Sequence, residues 1–230
     1  MKIHNNYLAI DTIPVRVQRL ADLTGNCEPA IAELGLDAEM ADWMRNASDI
    51  FIRKIAEAQV LKGDKSLAFE KFHNKMKALL EIYTPVKSLL KALIKGTEQA
   101  NIIIEAYAIQ GTLPNTYNLL TVKTEILIER HNLLKAEGDP RVVPQKFIDD
   151  LTLKLEEMRL AHDKTNAAKI ISVRAYEELH ELMQEDTKKL RIFYHIAAAV
   201  WGKKSPNFLA VGFVPAKERP KHRKKKEEDS

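Results

Sequence analysis

A seven-residue period in the middle of the chain limits the folds available to it. Phe69, Phe72, Met76, Leu79, Tyr83, Val86, Leu90, Leu93, Thr97, Ala100, Ile104 and Tyr107 follow one another in steps of three and four, and only Thr97 is polar. A repeat held this long marks an apolar seam on a helix that packs against other helices. Its phase passes through Pro85 and Gly96, residues that damage helices. Helices joined there by loops would have no reason to keep the register. The period therefore predicts one long helix over 65–110, kinked or frayed at Pro85 and Gly96. At 1.5 Å per residue such a helix spans about 70 Å, wider than a globular core, so the expected molecule is elongated.

Composition agrees with a helical reading. The 230 residues include only 8 Gly and 9 Pro, gathered near the ends and at a few joints. With 45% hydrophobic and 30% charged residues, the chain can bury a full core in one domain or two small ones. The single Cys27 excludes an intrachain disulfide and fits a reducing compartment. The longest apolar run, Ile196 to Trp201, is short. Neither a secretory signal nor a transmembrane helix is expected, and the cytoplasm is the default location. The net charge of +4 sits mainly in Lys217–Ser230, where seven Lys/Arg face four Asp/Glu; the body is nearly balanced.

Local signals divide the chain. Residues 1–35 read as an irregular N-terminal segment on the bundle surface, with short helices conceivable at Val15–Leu23 and after Pro29. Asp37 caps a helix over 38–61 whose face is Met40, Trp43, Met44, Ala47, Ile50, Phe51, Ile55 and Ala58. Lys62-Gly63-Asp64 reads as its stop and as the cap of the long helix. Gly111 to Asn115 ends that helix. A further helix runs over 116–135, and Gly138-Asp139-Pro140 stops it. From Gln145 to Trp201 neither Gly nor Pro occurs, which taken literally means a single helix. Matching lengths against the long helix favours instead a reversal at Asp163–Asn166, giving 145–162 and 167–201. The last of these carries a seam of Tyr176, Leu179, Met183, Asp186, Leu190, Phe193, Ala197 and Val200.

The expected fold is all-α: an elongated antiparallel bundle of about five helices around one long central helix, with little or no β-structure. Its parts are the segment 1–35, the bundle 36–202, an extended stretch 203–216, and a disordered basic and acidic tail 217–230.

Candidate chemistry is sparse. Glu177-x-x-His180 has the spacing of a carboxylate-bridged metal site, but such a site needs the motif on two helices. Gln184 stands where a zincin-like helix would carry its second His. His73, His131 and His195 lack a matching acid or nucleophile nearby, and His162 suits capping or packing at a bundle end. Cys27 has no adjacent His, and no glycine-rich phosphate loop occurs. Trp43 and Trp201 continue apolar faces and read as core anchors. No catalytic residue, cofactor or metal ligand is expected. The basic residues Arg219, Lys221, Arg223, Lys224, Lys225 and Lys226 can contact phosphates, although no aromatic residues are interleaved to stack on bases. Asp186 interrupts its seam, and Thr84 and Thr187 are its expected partners in a buried polar layer that fixes register, with Arg45 also within possible reach.

The resulting expectation is a non-enzymatic helical-bundle protein acting through protein–protein contacts as scaffold, adaptor or self-associating unit. The alternative is a nucleic-acid-associated protein that uses the basic tail.

Overall fold

The computed structural model describes residues 13–95, 100–139 and 142–211. The fold is an all-α helical bundle: among the described residues there are seven helices and no strand. These are α1 (Ile13–Gly25), α2 (Cys27–Leu34), α3 (Ala38–Ile94), α4 (Ala100–Ala106), α5 (Tyr117–Ala136), α6 (Gln145–Val200) and α7 (Pro206–Ala210). They form two compact units, Met1–Val60 with Val173–Ser230, and Leu61–Ser172. No helix is long and apolar enough to cross a membrane among the described residues.

The first unit contains α1, α2, the start of α3, the end of α6, and α7. Asp37 caps α3 as expected: the Met40 amide donates to its Oδ1 at 2.7 Å. Residues 13–35 depart from expectation, because Leu20, Leu23, Cys27, Ala30 and Leu34 are all buried on α1 and α2. Helix α2 takes Pro29 in its first turn and ends at Gly35, whose φ of 58° is the left-handed conformation that glycine adopts cheaply. The stretch 203–216 is likewise not all extended. Ser205 accepts from the Phe208 amide at 3.2 Å, Pro206 fills the first turn of α7, and Phe208 is buried. Here α3 and α6 are antiparallel, with Lys189 on Glu39 at 3.2 Å and Lys54 on Glu178 at 3.0 Å.

The second unit contains the end of α3, α4, α5 and the start of α6. Its core joins Leu79, Tyr83, Val86, Leu90 and Ile94 of α3 to Tyr107, Ile109, Leu120, Leu127, Ile148, Leu151, Leu155 and Met158. The α3 seam therefore holds from Leu79 to Leu90, and Ile94 rather than Leu93 continues it. Helices α3 and α6 are antiparallel here too, with Lys75 on Glu157 at 2.8 Å and the Thr165 hydroxyl on the Ala68 carbonyl at 3.0 Å. Arg159 pairs with Glu125, and Lys135 donates to Gln145 at 2.6 Å, which fixes α5 antiparallel to α6.

Three expected boundaries are corrected. Lys62-Gly63-Asp64 does not stop α3; all three residues are exposed, and Gly63 costs the helix only about 1 kcal/mol relative to alanine. Asp163–Asn166 does not break α6. Thr165 bonds the Ala161 carbonyl of its own helix at 2.8 Å, and Asp163 points to solvent. Residues 65–110 are not one helix. Pro85 lies inside α3, but the Lys87 Nζ donates to the Gly111 carbonyl at 2.9 Å. In a continuous helix those positions would stand about 36 Å apart, so the chain reverses between Ile94 and Gly111. Helix α4 then closes on Ala108, whose φ is 52°, with Ile109 N–H on the Ile104 carbonyl and Ala108 N–H on the Glu105 carbonyl.

The expectations for residues 1–12, Gly96, Thr97 and Pro140, for the rest of the extended stretch, and for the tail 217–230 with its Arg219, Lys221, Arg223, Lys224, Lys225 and Lys226, lie outside the described residues.

Candidate functional sites

The first site is a buried charged layer in the unit that holds α1. Asp186, on the inward seam of α6, is only 2% exposed, and Arg16 of α1 is 1% exposed. The Trp43 indole Nε1 donates to Asp186 Oδ1 at 2.8 Å. Arg16 donates to the Thr187 hydroxyl at 2.8 Å, and that hydroxyl donates to the Met183 carbonyl at 2.7 Å. Asp186 Oδ2 is buried and has no hydrogen-bond partner among the described residues. Burial raises the Asp186 carboxyl above its ordinary value; the Trp43 hydrogen bond and the positive charges of Arg16 and Lys189 pull the other way. The layer ties α1, α3 and α6 together at one level.

Its membership corrects the sequence reading. Thr187 lies at the same level, but its hydroxyl donates to the Met183 carbonyl and accepts from Arg16 rather than bonding Asp186. Thr84 belongs to the other compact unit, where its carbonyl accepts from the Ser88 hydroxyl at 3.0 Å. Arg45 bonds Glu28 at 2.8 Å rather than Asp186. The misplacement has one cause. A helix thought to begin at 65 puts Asp186 opposite Thr84, whereas a helix beginning at Ala38 puts it opposite Trp43. Trp43 is thus half-buried with its N–H engaged, and Trp201 donates to Glu33 at 2.7 Å. Asn207 of α7 joins the same carboxylate at 3.1 Å.

The second site lies in the unit that holds α4 and α5. Lys87 is 8% exposed, and one of its three N–H donors is spent on the Gly111 carbonyl. Lys123 of α5 donates to the neighbouring Gln110 carbonyl at 3.2 Å. Burial pushes the Lys87 ammonium below its ordinary value, and the charges of Lys91 and Lys123 push it the same way. Sequence reasoning passed over Lys87. Its signal is position: it stands one turn after Tyr83, beside the apolar seam.

Two histidines are more enclosed than their sequence context indicates. His131 is buried, and neither ring nitrogen has a partner of good geometry among the described residues. Burial lowers its imidazole, which Gln145 partly offsets. His162 stacks on Tyr117 at 3.8 Å between centroids, with Phe72 at 5.4 Å. That is the packing role expected of it. Glu177 and His180 are exposed, and His180 faces the Gln184 amide at 2.9 Å. Cys27 is buried in α2. Among the described residues no three His, Cys, Asp or Glu side chains converge as a metal site requires.

No protein-family model, curated protein or solved structure matches the chain.

Proposed function

We propose that the protein is non-enzymatic and works through protein–protein contact, with a second copy of itself as the first partner. One observation carries the reading. Within the unit Leu61–Ser172, no residue of α3 from 61 to 78 and none of α6 from 159 to 171 is buried. Apolar side chains nevertheless stand in water there: Leu67, Phe69, Leu160, Ile170 and Ile171 are all at least half exposed. Helix α5 begins only at Tyr117, level with His162, so beyond that point two helices pair without a third among the described residues of this unit. An isolated helix pair leaves part of each apolar stripe uncovered, and two such pairs laid together make a four-helix bundle. A two-fold dimer supplies the missing half with the same surface.

The absence of an enzymatic role rests on chemistry of the buried groups. Asp186 bonds an indole and Lys87 bonds a carbonyl, while Tyr83 bonds nothing among the described residues and His131 has only Gln145 beside it, in poor geometry. None of these pairings activates a nucleophile.

Light scattering over a concentration series tests the proposal. The native chain is expected to dimerise, and Leu67→Lys with Ile170→Lys to stay monomeric, with native helicity and a melting temperature that no longer rises with concentration. A native chain that remains monomeric to high micromolar concentration overturns it. If the chain instead binds nucleic acid with an affinity that falls steeply with salt, the basic tail reading replaces it.

A further inference from the structure

We propose that Lys87, Lys91 and Lys123 form a binding site for a small phosphate-class oxyanion. Three observations point there. Lys87 is nine-tenths buried, yet makes one hydrogen bond where an ammonium has three donors to satisfy. Two N–H groups of that ammonium therefore remain for a further acceptor. The charged neighbours of that ammonium are themselves cations, Lys91 one helical turn along α3 and Lys123 across on α5, and no carboxylate acts on it among the described residues. Finally, the Gln110 and Gly111 carbonyls hold the Lys123 and Lys87 ammonium groups at adjacent residues, at 3.2 and 2.9 Å. Lys87 and Lys123 are thereby anchored before any ligand arrives.

The arrangement specifies its ligand. Like charges brought together repel, and an anion set among them converts repulsion into charge-assisted hydrogen bonds. Lysine ammonium groups act as point charges and suit a tetrahedral oxyanion approached from several sides. Lys91 is exposed and Lys123 half-buried, so access is from solvent. A bare ion and the terminal group of a small phosphomonoester present the same three oxygens.

The bland account is that the lysines only cap the carbonyls that follow α4, which is favourable for cations near a helix C-terminus. That account predicts no ligand. The decisive experiment titrates the full chain with inorganic phosphate, and separately with glycerol 3-phosphate, at constant ionic strength against chloride. Lysine Nζ resonances and the melting temperature are read together. The native chain is expected to saturate, and Lys91→Gln to weaken binding about tenfold, the loss of one charge-assisted bond. In chloride alone Lys91→Gln should melt at the same temperature or higher, because one like charge is gone. Lys123→Gln serves as the second variant and should weaken binding by a similar factor. Tighter binding of the ester than of the ion identifies a phosphomonoester as the ligand, and equal binding identifies the ion. A native response no larger than that of Lys91→Gln and Lys123→Gln overturns the site.

Discussion

In the unit built on α1 and α2, buried polar groups meet. Arg16, Trp43, Asp186 and Thr187 come from three helices to one level, and hydrogen bonds pass from the indole to the carboxylate and from the guanidinium through the hydroxyl to a carbonyl. In the unit built on α4 and α5 they are scattered. Tyr83 sits fully buried with no acceptor for its hydroxyl among the described residues, and burial pushes that phenol up to about 12. His131 has only Gln145 beside it, in poor geometry, and Thr124 bonds only the Leu120 carbonyl of its own helix. Polar groups that depend on one another lose their partners when one is removed. Polar groups that stand alone leave nothing stranded. The two units should therefore answer apolar substitution with opposite signs.

The largest effect falls on Asp186→Leu. It removes the carboxylate whose charge reaches Arg16 and leaves the Trp43 N–H without its acceptor. A loss of about 1–3 kcal/mol is expected, the usual cost of leaving a buried donor unsatisfied. Urea unfolding with an unchanged m-value measures it. A midpoint equal to or above the native one would show that the layer fixes register alone and that the contrast between units is false.

Tyr83→Phe should do the reverse. It removes a buried hydroxyl that bonds nothing among the described residues while keeping the ring that fills the core. The expected change is a gain of up to about 1 kcal/mol. A loss of that size instead would mean that an ordered water satisfies the hydroxyl.

How far these differences were legible in the sequence depends on what each signal measured. The all-α fold, the Asp37 cap, the stop at Gly138 and the interruption at Asp186 were legible, because period and cap chemistry act within a few residues. The seam of α1 and α2 was also written in the chain, as Arg16, Leu20, Leu23, Cys27, Ala30 and Leu34 in steps of four and three. An arginine, a cysteine and an alanine stood where larger apolar residues are looked for, so the short helices at Val15–Leu23 and after Pro29 read as surface elements. Gly63 and Asp163 misled as local stops. Each shifts local preference by about 1 kcal/mol or less, which packing along a long helix outweighs. The length argument failed for a related reason. A break at 62–64 made α6 look too long, whereas the unbroken α3 and α6 have 57 and 56 residues. The partners of Asp186 could not be read at all, since a register error of one helix carries every pairing with it. Lys87 was hidden because nothing local distinguishes a lysine that a distant carbonyl has drawn inward.

The smallest effects, and the sharpest form of the comparison, lie in pH dependence. Asp186 is raised above its ordinary 3.8, so the folded state keeps its proton to higher pH than the unfolded chain does. Its contribution is present below 3.8 and is lost as pH rises through the folded value. His131 is lowered below its ordinary 6.5, so the unfolded chain takes the proton first. Its contribution is present above 6.5 and is lost as pH falls toward the folded value. The two groups thus tilt the stability curve in opposite directions. Unfolding free energy measured from pH 4 to 8 separates them. Relative to the native chain, Asp186→Asn should gain as pH rises from the acid end, and His131→Leu should gain as pH falls below 6.5. Should both variants run parallel to the native curve, neither group changes its proton affinity on folding. The carboxylate layer would then be wet, and the isolation of His131 would have to be made good by water.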